Sequence, residues 1–191
     1  LLTERLDRLP PGAKLLAQVA SVIGREFDRE LLKTIAPGDG AGLQAGLQAM
    51  LDSGLVLHGS ADGERLLFKH ALVEDTAYLS VPPKRCAELH GHVADALLTR
   101  FKDRVDRQPE LAARHLTRAG RGLEAATWWH AAGGQALSRG APREAAGHLR
   151  AGIAALQHVA ASPARDAAEL GLLSMLGPTT MVLLGPGSAE F

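Results

Sequence analysis

Glycine and proline punctuate this sequence and mark where most of its elements begin and end. The chain of 191 residues carries 21 glycines and 10 prolines, and they fall mostly between stretches of clear apolar periodicity. A short helical piece over residues 1–9 is stopped by Pro10-Pro11-Gly12. From Ala13 to Ile23, Leu15, Leu16, Val19 and Ile23 recur on one helical face, which Gly24 closes. Asp28 suits the N-cap of a second helix, with Phe27 and Leu32 at hydrophobic-staple spacing. That helix ends near Ile35, before Pro37-Gly38-Asp39-Gly40. A third, from about Ala41 to Ser53, is expected to bury Leu43, Leu47, Met50 and Leu51 and to stop at Gly54.

Two β-prone runs follow, Leu55–Ser60 and Arg65–His70, separated by Ala61-Asp62-Gly63-Glu64. An Asp-Gly turn between such runs is a hairpin signal. Three helices followed by a hairpin is the order of a winged-helix domain, here residues 1–80 with a two-stranded β wing. Pro82-Pro83 breaks the chain before a connector, residues 81–108, built on a long helix from about Lys84 to Arg104. Its apolar face runs Cys86, Leu89, Val93, Leu97 and Phe101.

Residues 109–191 read as helical hairpins, with helices near 109–119, 123–138, 142–158 and 163–176. Prolines stand near helix starts, where a missing N–H costs nothing. Trp129, Gly133, Ala145, Leu149 and Gly152 occupy the aromatic, small and apolar places of a tetratricopeptide-type repeat. Its small residues let two helices approach while the aromatic and Leu149 fill the gap. Of the adjacent Trp128 and Trp129, Trp129 is the core residue. Gly187–Phe191 reads as the opening of another helix, and a solenoid interrupted there exposes an apolar face. The fold class expected is therefore mainly α, a winged-helix domain followed by tetratricopeptide-like hairpins.

Composition narrows the function. Net charge is zero, which gives no support to a protein that coats nucleic acid or a membrane surface. One cysteine, Cys86, excludes an internal disulfide framework and fits a cytoplasmic location. The opening Leu1-Leu2-Thr3-Glu4-Arg5 has neither an initiator methionine nor a signal-peptide pattern, as expected of a piece of a longer protein. The most apolar tract, Leu172 to Leu184, is interrupted by Gly177-Pro178 and is too short to span a bilayer. No GxxxxGK[ST] loop, GxSxG elbow, HExxH helix or CxxC pair is present. The segment is not expected to be catalytic. Its eight histidines lack the clustering a metal needs, and His90 and His92 point to different helix faces. The third helix has no basic residue to meet phosphates, so DNA is not an expected partner.

Phe68–Tyr78 is the segment with the most functional content. It reads as a strand running straight into a helix with His70 at the junction. Helix starts leave backbone N–H groups without intrahelical acceptors and carry partial positive charge. A histidine there either hydrogen-bonds the backbone or touches a phosphate or another anion.

Taken in order, these and further residues resemble one group of proteins along nearly the whole chain. The matching pieces are Arg5-Leu6-Asp7-Arg8-Leu9, Ile23-Gly24-Arg25-Glu26-Phe27, then Phe68, His70, Leu72, Asp75, Ala77, Tyr78, Arg85, Leu89 and His90. Pro109-Glu110, His115, Ala119-Gly120, Ala132-Gly133, Glu144-Ala145, His148-Leu149 and Leu176-Gly177-Pro178 continue them. The resemblance is to the region downstream of the ATPase core in large bacterial signalling ATPases of the STAND class. Many of those are fused to class III adenylate/guanylate cyclase domains. It implies ATP or ADP held by an ATPase domain in cis, with no cofactor bound by this segment alone. It further implies a protein or peptide partner on the helical repeats. In that class a Met-His-Asp motif opens the helix after the winged-helix hairpin, and its histidine contacts the β-phosphate of ADP. His70 stands at the corresponding place, with Lys69 before it and Ala71 where the aspartate would be.

Overall fold

Local chemistry places the first elements where the sequence signals them. In the computed structural model, which describes residues 2–36, 38 and 40–184, the chain divides into two compact units, Leu1–Ala96 and Leu97–Phe191. The helix opening expected at Gly187–Phe191 lies outside the described residues. The first unit holds α1 (Leu2–Asp7), α2 (Pro11–Ile23), β1 (Glu26–Asp28), α3 (Arg29–Ile35) and α4 (Gly40–Asp52). It continues with β2 (Val56–His58), β3 (Arg65–Phe68), α5 (Ala71–Leu79) and most of α6 (Pro83–Arg100). Asp28 caps α3 as expected: its carboxylate accepts from the N–H groups of Glu30 at 2.9 Å and Leu31 at 3.3 Å. Gly54, at φ 65°, turns the chain out of α4 in a conformation that favours glycine.

The sheet differs from the expected two-stranded wing. It has three antiparallel strands in the order β1-β3-β2. Phe27 pairs with Leu66 on one side of β3, and Leu57 pairs with Leu67 on the other. A strand as short as Glu26–Asp28 leaves no legible alternation, so Phe27 reads from sequence only as a residue preceding a cap. Its place beside β3 is set by partners about forty residues away in the chain, beyond any local signal. The Asp62-Gly63 turn is real, with Gly63 at φ 72°. Asp62 accepts from Ser60 and from the Glu64 N–H at 3.0 Å. The Ser60 hydroxyl, the largest influence, and that backbone N–H both hold the Asp62 carboxyl below the usual carboxylate range.

The core of this unit forms where α2 packs on α4 and α5 behind the sheet. Leu16, Leu32, Leu47, Met50, Leu66, Phe68 and Val73 are all buried in it. Leu43 and Leu51 of α4, expected inside, are half-buried instead. Gly46 takes an inner place, because a Cβ there would sit 3.2 Å from Leu16 Cδ2.

The second unit contains α7 (Lys102–Arg107), α8 (Pro109–Arg118), α9 (Gly122–Ser138), α10 (Pro142–Leu156) and α11 (Pro163–Leu184). The long helix expected to Arg104 is interrupted at Phe101, whose φ of −118° and ψ of 35° leave the helical region. No glycine, proline or capping side chain announces that break, so apolar periodicity reads straight through it. Helix α9 packs on α8 and α10, and α10 packs on α11.

Close approach depends on two glycines. A Cβ at Gly133 would lie 2.7 Å from Leu149 Cδ2, and one at Gly152 would lie 2.8 Å from Leu172 Cδ2. Trp129 is buried beside them and donates its Nε1–H to Thr117 Oγ1 at 3.0 Å. Trp128 is half-buried.

Helix α11 runs through Gly177-Pro178, where the sequence expectation ended near residue 176. Proline disfavours the helical region for the residue before it through contact with that residue's Cβ, and Gly177 has none. The hydroxyls of Thr179 and Thr180, both buried, donate to the carbonyls of Met175 at 2.7 Å and Leu176 at 2.9 Å. The carbonyl that Pro178 leaves without a helical N–H is that of Ser174, so these hydroxyls bond beside the gap rather than fill it.

Candidate functional site

The site is built outward from Phe68. Its ring is fully buried and rests 5.5 Å from that of Phe27 at 53°. The Phe68 N–H donates to the Arg25 carbonyl at 2.9 Å, and the Lys69 N–H donates to the Leu55 carbonyl at 3.0 Å. The last residues of the hairpin are thus tied on both sides. His70 follows with extended backbone, φ −129° and ψ 136°, and acts as the N-cap of α5. Its carbonyl accepts from the Val73 N–H at 3.0 Å, starting the helix.

The imidazole does none of the capping. It makes no side-chain hydrogen bond to the helix start and is exposed, as are Lys69, Ala71 and Leu72. Of the two roles open to it from sequence, the backbone-closing one is not used in this geometry. An exposed imidazole beside free helical N–H groups can meet an anion arriving from solvent. Val73 and Ala77 are buried on the opposite face and hold α5 in place, while Leu72 and Leu79 project outward, 63% and 81% exposed. The segment therefore leaves a histidine, a lysine and two leucines open to solvent.

Charge around α5 is mixed. Glu74 and Asp75 stand in its first two turns, and the Arg25 cation acts on Glu74. Partial burial, first, and the neighbouring Asp75, second, raise the Glu74 carboxyl above its ordinary range; Arg25 works the other way. A carboxyl with a raised folded-state pKa binds more protons folded than unfolded, so its contribution to stability declines as pH rises through that range. Glu74→Gln is therefore expected to raise the melting temperature at pH 7. The gain should fade as pH falls through the raised range and be gone below the ordinary value of 4.5. Melts at both ends check it, and a gain independent of pH would contradict the assignment.

The remaining histidines take separate places. His90 is buried, 3% exposed, with Nε2 3.0 Å from the Tyr78 hydroxyl, so it ties α6 to the end of α5. His92 is exposed, on another face of the same helix. In the second unit His148 stacks on Trp129 with ring centres 5.4 Å apart, and its Nε2 lies 3.4 Å from Glu144. Neither the Tyr78–His90 pair nor the Trp129–His148 stack is visible in sequence, because each joins residues twelve or more positions apart. Among the described residues no group of three or more His, Cys, Asp or Glu could hold a metal ion. None of the described helices is long and apolar enough to cross a membrane. The exposed positions of α4, among them Gln44, Gln48 and Asp52, carry no cation, and Gln48 donates to Asp52 at 2.7 Å.

The chain is similar to an uncharacterized protein of Rhizobium meliloti (strain 1021), with 27% identity over 190 residues. The match covers 98% of this chain but 18% of that protein, so the chain spans less than a fifth of its relative's length. No family model and no solved structure matches.

Proposed function

We propose that this chain is a non-catalytic regulatory and protein-interaction segment of a multidomain bacterial signal-transduction ATPase of the STAND class. In this reading the first unit is a winged helix that senses nucleotide, and the second is a tetratricopeptide-like array that receives a protein or peptide. The observation that carries it is His70: a helix-capping residue whose side chain is left free and exposed, on a junction tied down by the sheet. The element order α2-β1-α3-α4-β2-β3, with β1 on β3, supports the winged-helix part. The Gly133–Leu149 and Gly152–Leu172 contacts support the repeat part. The much longer bacterial relative supports a multidomain parent. The effector would be an adenylate/guanylate cyclase domain, on the resemblance described, and the location cytoplasmic.

In the mechanism, ADP bound by an ATPase domain in cis meets the His70 imidazole and the α5 N-terminus through its β-phosphate. That contact stabilises a closed arrangement. A partner on the repeats that binds the open arrangement more tightly shifts the balance toward nucleotide exchange. Replacing His70 with alanine in the full-length parent is expected to speed ADP release about tenfold, as loss of one charge-assisted hydrogen bond of roughly 1.5 kcal/mol requires. Basal output should rise with it. Unchanged ADP retention would sink the sensor reading.

A DNA-binding regulator is the second reading, favoured by the same element order. The cation-free face of α4 weighs against it, since phosphate contacts supply most of the affinity of such helices for DNA. Salt-dependent retardation of duplex DNA by this chain would reverse that preference.

A further inference from the structure

Asp62 stands directly before Gly63 in the turn between β2 and β3, with its side chain exposed. A glycine carries no Cβ to shield its amide, so the Gly63 nitrogen can attack Cγ of the Asp62 side chain. Water leaves and a five-membered cyclic imide forms. Water then adds back, and opening at the α-carbonyl leaves the main chain running through Cβ of residue 62, as isoaspartate. One water is lost and one is gained, so solvent is the sole co-reactant.

The folded turn withholds both things this reaction needs. The side chain must be the neutral acid, because a carboxylate is a poor electrophile with no good leaving group. Here the Ser60 hydroxyl donates to Asp62 Oδ1, and the Glu64 N–H donates to the same oxygen at 3.0 Å. Ser60 is fixed in that role because its own oxygen accepts the Arg65 N–H at 3.0 Å. Both donors favour the ionised carboxyl and hold it below its usual range, Ser60 more than Glu64. The amide must also give up its proton and turn towards Cγ. Instead the Gly63 N–H is engaged by the Ser60 carbonyl at 3.1 Å, and the Gly59 N–H closes the ladder on the Arg65 carbonyl at 2.8 Å. We propose that Asp62 is a fold-gated modification site: the closed hairpin keeps it aspartate, and opening of the hairpin lets it convert to isoaspartate. Conversion would lengthen the main chain by one atom and move the free carboxylate onto Cα, so Ser60 and Glu64 lose their acceptor. The neighbouring Glu64 carbonyl accepts the Arg29 N–H at 2.9 Å, which ties the turn to the start of α3. This goes beyond the nucleotide reading and does not depend on it.

Incubating the 191-residue chain at neutral pH in water enriched in heavy oxygen, followed by peptide mapping, measures the step. Each passage through the imide takes one oxygen from water, and chromatography separates the isoaspartyl peptide from the aspartyl one. The native chain is expected to convert at Asp62 at least about tenfold more slowly than the same chain unfolded in urea, as two hydrogen bonds to an ionised group require. Ser60→Ala should raise the native rate about threefold, the effect of one such bond in an exposed turn. Equal rates in the native and unfolded chain overturn the proposal, and so does an unfolded chain that takes up no label at Asp62. An unchanged rate in a Ser60→Ala chain that melts normally overturns the role given to Ser60. Should that variant fail to fold, the comparison of native with unfolded chain still decides.

Discussion

Leu149→Ala is expected to cost the second unit about 3–4 kcal/mol, read as a fall in the urea midpoint of the 191-residue chain. Leu149 is fully buried in one cluster with Ala126, Leu156 and Leu172, and it also fills the space above Gly133. Alanine removes that apolar burial and leaves a cavity between two helices that meet at a glycine. The same contact predicts a change of sign. Gly133→Ala alone places a methyl 2.7 Å from Leu149 Cδ2 and 2.8 Å from its Cγ. The leucine then has to move from its root, at an overpacking cost of about 1–3 kcal/mol. That outweighs the gain of about 1 kcal/mol that alanine has over glycine within a helix. Once Leu149 is alanine the space is open, and Gly133→Ala should become stabilising. A double-mutant cycle measures this coupling; if Gly133→Ala has the same sign in both backgrounds, the two residues do not lock α9 to α10.

Phe68→Ala carries the other large effect, about 3–5 kcal/mol from the first unit. Phe68 ends the central strand, is fully buried against Phe27, and pairs with Val56 across the sheet. It stands two positions before the candidate sensor. Exposed and uncapping, His70 should by contrast leave stability within about 0.5 kcal/mol when changed to alanine. The two substitutions therefore separate folding from sensing. His70→Ala with a normal melt and fast ADP release supports a contact made by the imidazole. An unchanged melt for Phe68→Ala would mean that the sheet does not hold the strand–helix junction.

The candidate site was legible in part. A histidine between a strand pattern and a helix pattern is a local feature, and Phe68, His70 and Val73 lie within six consecutive residues. What surrounds them is not local. The Arg25 carbonyl that fixes Phe68 and the Leu55 carbonyl that fixes Lys69 come from distant segments. The raised Glu74 carboxyl owes most to burial, which no pattern in α5 reveals.

By itself the sequence determined the positions where single residues dictate backbone shape. Asp28 begins α3, Gly54 ends α4, and Gly63, Gly120 and Gly140 turn the chain at positive φ. A carboxylate cap and a glycine turn act over one to three residues, so the sequence alone is enough to find them. Only the tertiary structure decided that Glu26–Asp28 is a strand, that the connector helix breaks at Phe101, and that α11 passes through Pro178. It likewise left the His70 imidazole exposed while burying His90 against Tyr78. For Glu26–Asp28 the partners in β3 lie far away in the chain, and pairing with them outweighs the weak local preference of so short a segment.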